Sequence, residues 1–473
     1  MSFLPAIRKR LAEHGQEHLL AFYDQLDAPQ KARLLEQVAA IDFEQLSGLI
    51  RSHVLSRPQV RLPEHVLPPP IRPARPSDPA SVAAYDSARR RGEELISRGK
   101  VAALVVAGGA GTRLGFDGPK GCLPVTAVKG KSLFQVFAEQ LLATQRRYGA
   151  VVPWYVMTSL SNDQTTRRFF AENDFFGLDP SDVLFFAQGQ MPALSFDGKV
   201  LLAEKDQLAW SPDGHGGCLP ALRRSGALED MARRGVEYIS YFQVDNPLVR
   251  CVDPLFIGLH AEAGAGMSAK VLPKRQPKEK LGNFCTVDGR VTVIEYSDLP
   301  DELAFATRDD GTLVFNAGSI AIHVLSRWLV EELTAGGACR LPFHRADKEV
   351  PYIDANGDRV QPEEPNAAKL EMFIFDALPM SRESVLLQTL RGEEFSPVKN
   401  QQGEDSLVTC LRDQIARAGL WLASAGVSVP RDAQGQVAAA IEISPLLALD
   451  AEELAAKLPP GLTIKPGQEV YLE

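Results

Sequence analysis

The stretch LVVAGGAGTRLGFDGPKG, Leu104 to Gly121, decides how this chain is read. It starts inside VAALVVA (101–107), a short unbroken apolar run, the pattern of a strand buried on both faces of a parallel sheet. Gly108, Gly109, Gly111 and Gly115 follow at once. Without a Cβ, such a loop takes up positive φ readily and brings backbone N–H groups close to an anion. Thr112 and Arg113 sit within it, and Lys120 adds a second cation near its end. Amides that fix position and cations that offset charge are what a triphosphate requires. The alternative is a glycine turn that only lets strand and helix pack. Two commoner phosphate loops are excluded by spacing. The dinucleotide fingerprint fails because Gly111 is followed by Thr112-Arg113-Leu114-Gly115, one residue too many. Gly130-Lys131-Ser132 resembles the end of a P-loop, but Val125 stands where its first glycine belongs.

Outward from this loop, similar apolar runs recur at Val151–Thr158, Val183–Ala187 and Tyr238–Val244, with amphipathic stretches between them. Strands alternating with helices predict a doubly wound α/β domain with a mostly parallel sheet. Thr286–Glu295 and Thr312–Ile322 read as further strands. Toward the N-terminus, Ile7, Leu11, Leu19, Phe22, Tyr23 and Leu26 recur at helical spacing, and Asp27-Ala28-Pro29 reads as a stop and a new start. Residues 57–80 hold eight prolines and suit an extended connector. A helix over Ser81–Arg98 follows, capped by Gly99. Toward the C-terminus, a helix over Asp405–Ala418 precedes short apolar segments broken by Pro and Gly. A chain of 473 residues exceeds one core. The expected division is an N-terminal helical segment with its connector (1–95), a catalytic domain (96–400) and a small C-terminal domain (401–473).

Composition narrows the class. A formal charge of −9 argues against general affinity for nucleic acid or an anionic membrane, so phosphates must be drawn by a local basic site and a metal. Six cysteines are scattered without a CxxC pair, and the eight histidines form no HExxH, which argues against a zinc site. No run of 18 apolar residues occurs, and the N-terminus lacks a signal-peptide core, so the expected compartment is the cytoplasm.

Four further positions carry chemistry of their own. Gln188 follows Val183–Ala187, at the carboxyl end of an expected strand, where α/β sheets bind ligands. An amide donates and accepts at once, which suits the edge of a base; the alternative is a surface glutamine. Gly214 and Gly216, in PDGHGG, suit close backbone contact with a base or sugar. Asp245 ends YISYFQV and is placed to share Mg2+ with substrate phosphates, or merely to cap a turn.

GGAGTRLG followed by GPKG resembles the signature of the eukaryotic-type UDP-sugar pyrophosphorylases, above all their UDP-N-acetylhexosamine branch. FAQGQMPALSFDGK (186–199), SPDGHGG (211–217), YFQVDNPLVRCVDP (241–254), LGNF (281–284), VIEYSD (293–298), FNAGSI (315–320), KLEMFIFDAL (369–378) and EEFSPVKN (393–400) extend the resemblance in order from Val101 to Asn400. It implies a Rossmann-like nucleotidyltransferase sheet and a reaction between UTP and a sugar 1-phosphate that yields a UDP-sugar and pyrophosphate. It implies that Gly108, Gly109, Gly111 and Thr112 hold UTP, that Gln188 and Gly214 read uracil, and that Asp245 binds Mg2+. Arg113, Lys120 and Lys399 would act on the phosphates; without the resemblance Lys399 reads as a solvated charge. Gly282, Glu295 and Asn316 match positions that hold the sugar, and Phe373 and Phe375 match aromatics beside its C2 substituent, although two such phenylalanines also read as core. The branch usually carries asparagine where this chain has His215, a position beside the hexose. Relatives acting on glucose 1-phosphate tend to carry histidine there, so glucose or galactose 1-phosphate is the alternative substrate. An inactive nucleotide-sugar sensor is a third reading, against which stand Arg113, Lys120 and Asp245, all present.

Overall fold

The computed structural model describes residues 3–56 and 65–473; the connector residues 57–64 lie outside it. In chain order, helices α1 (Phe3–Glu13), α2 (Ala28–Ala39) and α3 (Phe43–Leu49) precede the connector, and α4 (Pro79–Ser97) follows it. Strands β1 (Val101–Val106), β2 (Trp154–Thr158), β3 (Val183–Ala187), β4 (Tyr238–Gln243), β5 (Met267–Pro273), β6 (Asn283–Val287), β7 (Arg290–Ile294) and β8 (Ala317–Ser326) come next, then β9 (Phe343–Lys348) and β10 (Ala367–Met372). The chain folds into two compact units. The larger comprises Pro63–Ala187, Leu219–Cys339 and Phe375–Glu473, and the smaller Met1–Leu62, Gln188–Cys218 and Arg340–Ile374.

The larger unit holds the sheet. Its central path runs β6, β8, β4, β1, β2, β3. β4, β1, β2 and β3 are parallel, and β8 joins β4 antiparallel. This is the mostly parallel α/β sheet expected from the apolar runs, and β2 is buried at every position. Phe134 and Phe137 of α5 (Leu133–Tyr148) and Leu95 and Ile96 of α4 pack into the same core as Val101, Val105 and Trp154. Helix α4 also lies against α6 (Pro254–Glu262) with almost no gap: a Cβ on Gly92 would come within 1.8 Å of the Pro254 carbonyl oxygen.

Three expected elements differ in detail. Thr286–Glu295 is not one strand but parts of the hairpin β6–β7, turned by Asp288 and Gly289, both at positive φ. An Asp-Gly pair between apolar runs is itself a hairpin signal, since the tight turn needs left-handed residues. The strand expected from Thr312 begins only at Ala317, after a turn in which Thr312 N–H bonds to the Asp310 carboxylate, and it continues to Ser326. The C-terminal helix α7 runs Leu407–Ser424 rather than from Asp405, because Ser406 caps it by exchanging hydrogen bonds with Thr409. Beyond α7, Ala440–Ile443 and Glu469–Leu472 form a parallel pair over a separate cluster containing Trp421, Leu422 and Leu454. Glu442 in that pair accepts the N–H groups of Val128 and Lys129 at 2.8 Å each, tying it to the segment that follows the glycine loop.

In the smaller unit, α1–α3 cover a core of Leu11, Leu34, Phe43, Leu194, Leu202 and Leu370. Asp27 caps α2 in a capping box with Gln30, where the sequence marked a new start. β9 and β10 pair antiparallel, and Leu194–Ser195 joins β10. The buried Gln16 amide holds this assembly across the sequence, donating to Gly198 O and accepting from Val200 N–H, both at 2.9 Å. No described helix is long and apolar enough to cross a membrane.

Candidate active site

The glycine loop leaves the end of β1 and closes on itself. Gly111 N–H donates to Gly118 O at 2.8 Å, and Lys120 N–H donates to Gly109 O at 3.1 Å. The second bond brings Lys120 back beside the first glycines, fourteen residues after the strand has ended. Gly111 is closely packed, since a Cβ there would sit 2.7 Å from the Phe116 ring. At Gly109 a Cβ would meet no protein atom within 4 Å. Gly109 is exposed, and packing sets no limit on a side chain there. Thr112 and Arg113 form a short helical turn between these closures, both exposed.

Asp245 follows β4, the strand next to β1, so it emerges at the same edge of the sheet as the loop. Its carbonyl oxygen accepts the N–H of Val398 at 2.8 Å, which sets Lys399 in the adjacent strip of chain. Lys399 and Asn400 donate their N–H groups to Asp405 O at 2.6 and 3.0 Å. Burial raises the Asp405 carboxyl above its ordinary range, with the charges of Lys399 opposing and Asp245 reinforcing the shift. Among the described residues no group of three His, Cys, Asp or Glu side chains is gathered for a metal. The hard oxygen donor of Asp245 is of the type that Mg2+ takes.

Gly282, Glu295 and Asn316 lie at one end of the antiparallel part of the sheet. They flank β6, β7 and β8, whose ends are in register through Asn283 with Ile294 and with Gly318. A Cβ on Gly282 would be 3.5 Å from the Glu295 carboxylate, and Asn316 accepts the Lys274 N–H at 2.7 Å. Phe375 begins the next segment of this unit.

The smaller unit gathers the remaining candidates. Gln188 Nε2 donates to Gly214 O at 2.8 Å, which fixes the amide and leaves its Oε1 as an acceptor. Gly214 stands at φ 85°, ψ 167°, a conformation open in practice only to glycine. Next to it, His215 accepts the Ile374 N–H at Nδ1, 3.2 Å away. A neutral imidazole that accepts at Nδ1 carries its proton at Nε2, so His215 presents one donor. Burial, aided by the neighbouring His344, lowers its pKa to about 4, and the ring is neutral at pH 7. Phe373 stacks on His215 with centroids 5.3 Å apart.

Residues 70–415 match the UTP–glucose-1-phosphate uridylyltransferase family. The chain belongs to this family. It is 40% identical to the human UDP-N-acetylhexosamine pyrophosphorylase-like protein 1, over 96% of this chain and 94% of that protein. UDP-N-acetylglucosamine diphosphorylase 1 of Arabidopsis thaliana is 34% identical over 95% of this chain and 90% of its own. The solved UDP-N-acetylglucosamine pyrophosphorylase of Trypanosoma brucei, in complex with an inhibitor, superposes with a TM-score of 0.81 at 26% identity, over 100% of this chain and 98% of that one.

Within this family member, sequence reasoning missed Asp405, Lys274 and His344. Asp405 carried a readable signal, since it immediately precedes a Ser-x-x-Thr cap. Lys274 and His344 carried none: a lone cation or imidazole in an irregular stretch reads as surface until the fold brings it to its neighbours.

Proposed function

We propose that this uridylyltransferase makes UDP-N-acetylglucosamine and pyrophosphate from UTP and N-acetylglucosamine 1-phosphate. The observation that supports the transfer chemistry is the closure of the glycine loop, which returns Lys120 to Gly109 beside an opening no protein atom fills. The names of the relatives at 34–40% identity favour the N-acetylhexosamine substrate over glucose or galactose 1-phosphate. The retention of Arg113, Lys120 and Asp245 weighs against an inactive sensor.

No covalent intermediate is needed. An oxygen of the sugar 1-phosphate attacks the α-phosphorus of UTP in line, and pyrophosphate leaves. The loop amides of Gly108, Gly109 and Thr112 would position the triphosphate, with Gly111, whose N–H is bonded to Gly118 O, closing the loop around them, and Arg113, Lys120 and Lys399 would neutralise charge that grows on its oxygens. Asp245 would hold Mg2+, which when bound supplies further charge neutralisation on the phosphates. Gln188 and Gly214 would read uracil. By the resemblance, Gly282, Glu295 and Asn316 are the sugar-contact candidates within the larger unit, and His215 and Phe373 are those within the smaller. Phe375 would line the acyl side. The scattered cysteines suit the cytoplasm.

Pyrophosphate release from UTP and a panel of sugar 1-phosphates tests the reading directly. N-acetylglucosamine 1-phosphate should be turned over with the highest kcat/KM, and Asp245→Ala should lower kcat by about 10^3-fold or more with the fold intact. A glucose 1-phosphate preference in the unsubstituted enzyme would overturn the substrate, and near-normal turnover by Asp245→Ala at low Mg2+ would remove it from the metal site.

A further inference from the structure

His344 lies on β9 opposite Glu371 of β10, and Phe373 is the first residue past the end of β10. Side chains alternate along a strand, so while Phe343 packs against the smaller unit's core, its neighbour His344 is directed to the other face. There its ring stacks on Phe373, with centroids 4.5 Å apart and planes within 22°. Phe373 stacks in turn on His215 at 5.3 Å and 18°. Three near-parallel rings therefore come from three separate segments of the chain.

The backbones that carry two of these rings are locked together. Met372 N–H donates to Asp213 O at 2.8 Å, and Ile374 N–H donates to His215 Nδ1 at 3.2 Å, one on each side of Phe373. Gly216 closes the remaining gap, because a Cβ there would lie 2.7–2.8 Å from backbone atoms of Phe373 and Met372. With the main chain fixed, the freedom left is the pitch of the Phe373 ring, and His344 is the planar group that lies along it.

We infer that His344 is a positioning residue for sugar choice: by stacking on Phe373 it sets the pitch of that ring, and through it the plane of His215, and so the slot offered to the C2 substituent of the hexose. The inference rests on the hexose 1-phosphate reading above. The group that touches the sugar is the His215–Phe373 pair, and His344 acts through it. Its removal should tell on the N-acetyl compound, which must fill an apolar slot, more than on glucose 1-phosphate, which carries only a hydroxyl at that carbon.

The test compares His344→Ala with His344→Phe, which keeps a planar ring. kcat/KM for N-acetylglucosamine 1-phosphate and for glucose 1-phosphate is measured at saturating UTP, with the UTP KM and the melting temperature measured alongside. In His344→Ala the ratio of the two specificity constants should move ~10-fold toward glucose 1-phosphate, as expected when a contact to a small apolar group is loosened. The shift should lie in the KM of the sugar phosphate, leaving kcat and the UTP KM about where they were. His344→Phe should restore the ratio. Binding of UDP-N-acetylglucosamine and UDP-glucose by calorimetry should show the same displacement without turnover. An unmoved ratio in His344→Ala overturns the inference, and so does an equal loss for both sugars and UTP, which marks general loosening. The two failures are separable: an unsubstituted enzyme that releases no pyrophosphate from any sugar phosphate overturns the function itself, whereas an active enzyme whose ratio ignores residue 344 overturns only the role of His344.

Discussion

Two glycine-rich turns of this protein hold glycines for opposite reasons. In the loop at 108–121, Gly109 faces open space, and a Cβ would touch no protein atom within 4 Å. In the turn at 213–217, each glycine is jammed. A Cβ on Gly214 would lie 2.3 Å from Met372 O, and one on Gly217 2.0 Å from the Asp213 carboxylate. Gly109 in the first turn leaves open space beside it, although Gly111 of the same loop is packed against Phe116. The second has none, because the end of β10 is packed into it. A motif of glycines announces both alike; only the surroundings separate a vacancy from a close contact.

Alanine breaks this comparison most sharply. Gly214→Ala adds a methyl into backbone at a residue with φ 85°, so about 1–3 kcal/mol of conformational strain is joined by a similar steric cost. Thermal unfolding should show a clearly lowered midpoint. Gly109→Ala, at a position with negative or extended φ and open surroundings, should leave the midpoint within a few degrees. Its kcat/KM with UTP should nevertheless fall ~100-fold, as a near-contact with bound phosphate is blocked. Equal melting points for the two variants, or an active Gly109→Ala enzyme, would erase the distinction.

The legibility of the two turns in the sequence follows the same physics. The sheet could be read because β1 to β4 are largely apolar runs with no competing pattern, and the glycine loop drew notice because its cations sit within a dozen residues of its glycines. The hairpin β6–β7 was misread as one strand although Asp288-Gly289 marks its turn, because the alternation of apolar residues continues through both arms. The grouping of α1–α3 with residues 188–218 and 340–374 had no local signal at all. It depends on contacts such as Gln16 with Gly198 and Val200, made across more than 180 residues. His344 is hidden for the same reason: the ring it serves is 29 positions away.

A second test sharpens the reading of the packed turn. Gln188 already spends one amide hydrogen on Gly214 O, so its Oε1 and remaining hydrogen are held in one orientation. Uracil offers a donor at N3 and an acceptor at O4, which that arrangement satisfies, whereas cytosine reverses both. CTP should be used with kcat/KM lower by about 10- to 100-fold, the worth of one buried polar group left unsatisfied (about 1–3 kcal/mol). Gln188→Glu should narrow the gap. Comparable kcat/KM for CTP and UTP in the unsubstituted enzyme would remove Gln188 from base selection.

The smallest expected effect concerns the histidines that the two units bury. His215 belongs to the packed turn; His260 lies in the larger unit, between Ser268 and Ser326 at 2.8 and 3.0 Å. Ser326 Oγ donates to Ala265 O, so it must accept from His260 Nε2–H, and Ser268 Oγ accepts from Val385 N–H, so its own proton is directed to Nδ1. Every partner suits the neutral ring, and burial lowers the His260 pKa to about 3. The unfolded chain binds a proton near the ordinary 6.5, so between pH 6.5 and 3 it holds more protons than the folded one, and stability rises with pH across that window. The contribution is complete above pH 6.5 and is lost as pH falls toward 3. Denaturant unfolding of the unsubstituted protein should therefore give a free energy lower by about 1–3 kcal/mol per such histidine at pH 4.5 than at pH 7. His260→Gln will be less stable at neutral pH, but its pH slope over this window should be shallower. His215→Asn should flatten the slope as well, over the narrower range set by its pKa of about 4. A slope unchanged in His260→Gln would mean that the ring is already protonated in the folded protein, and that the serine pair does not hold it neutral.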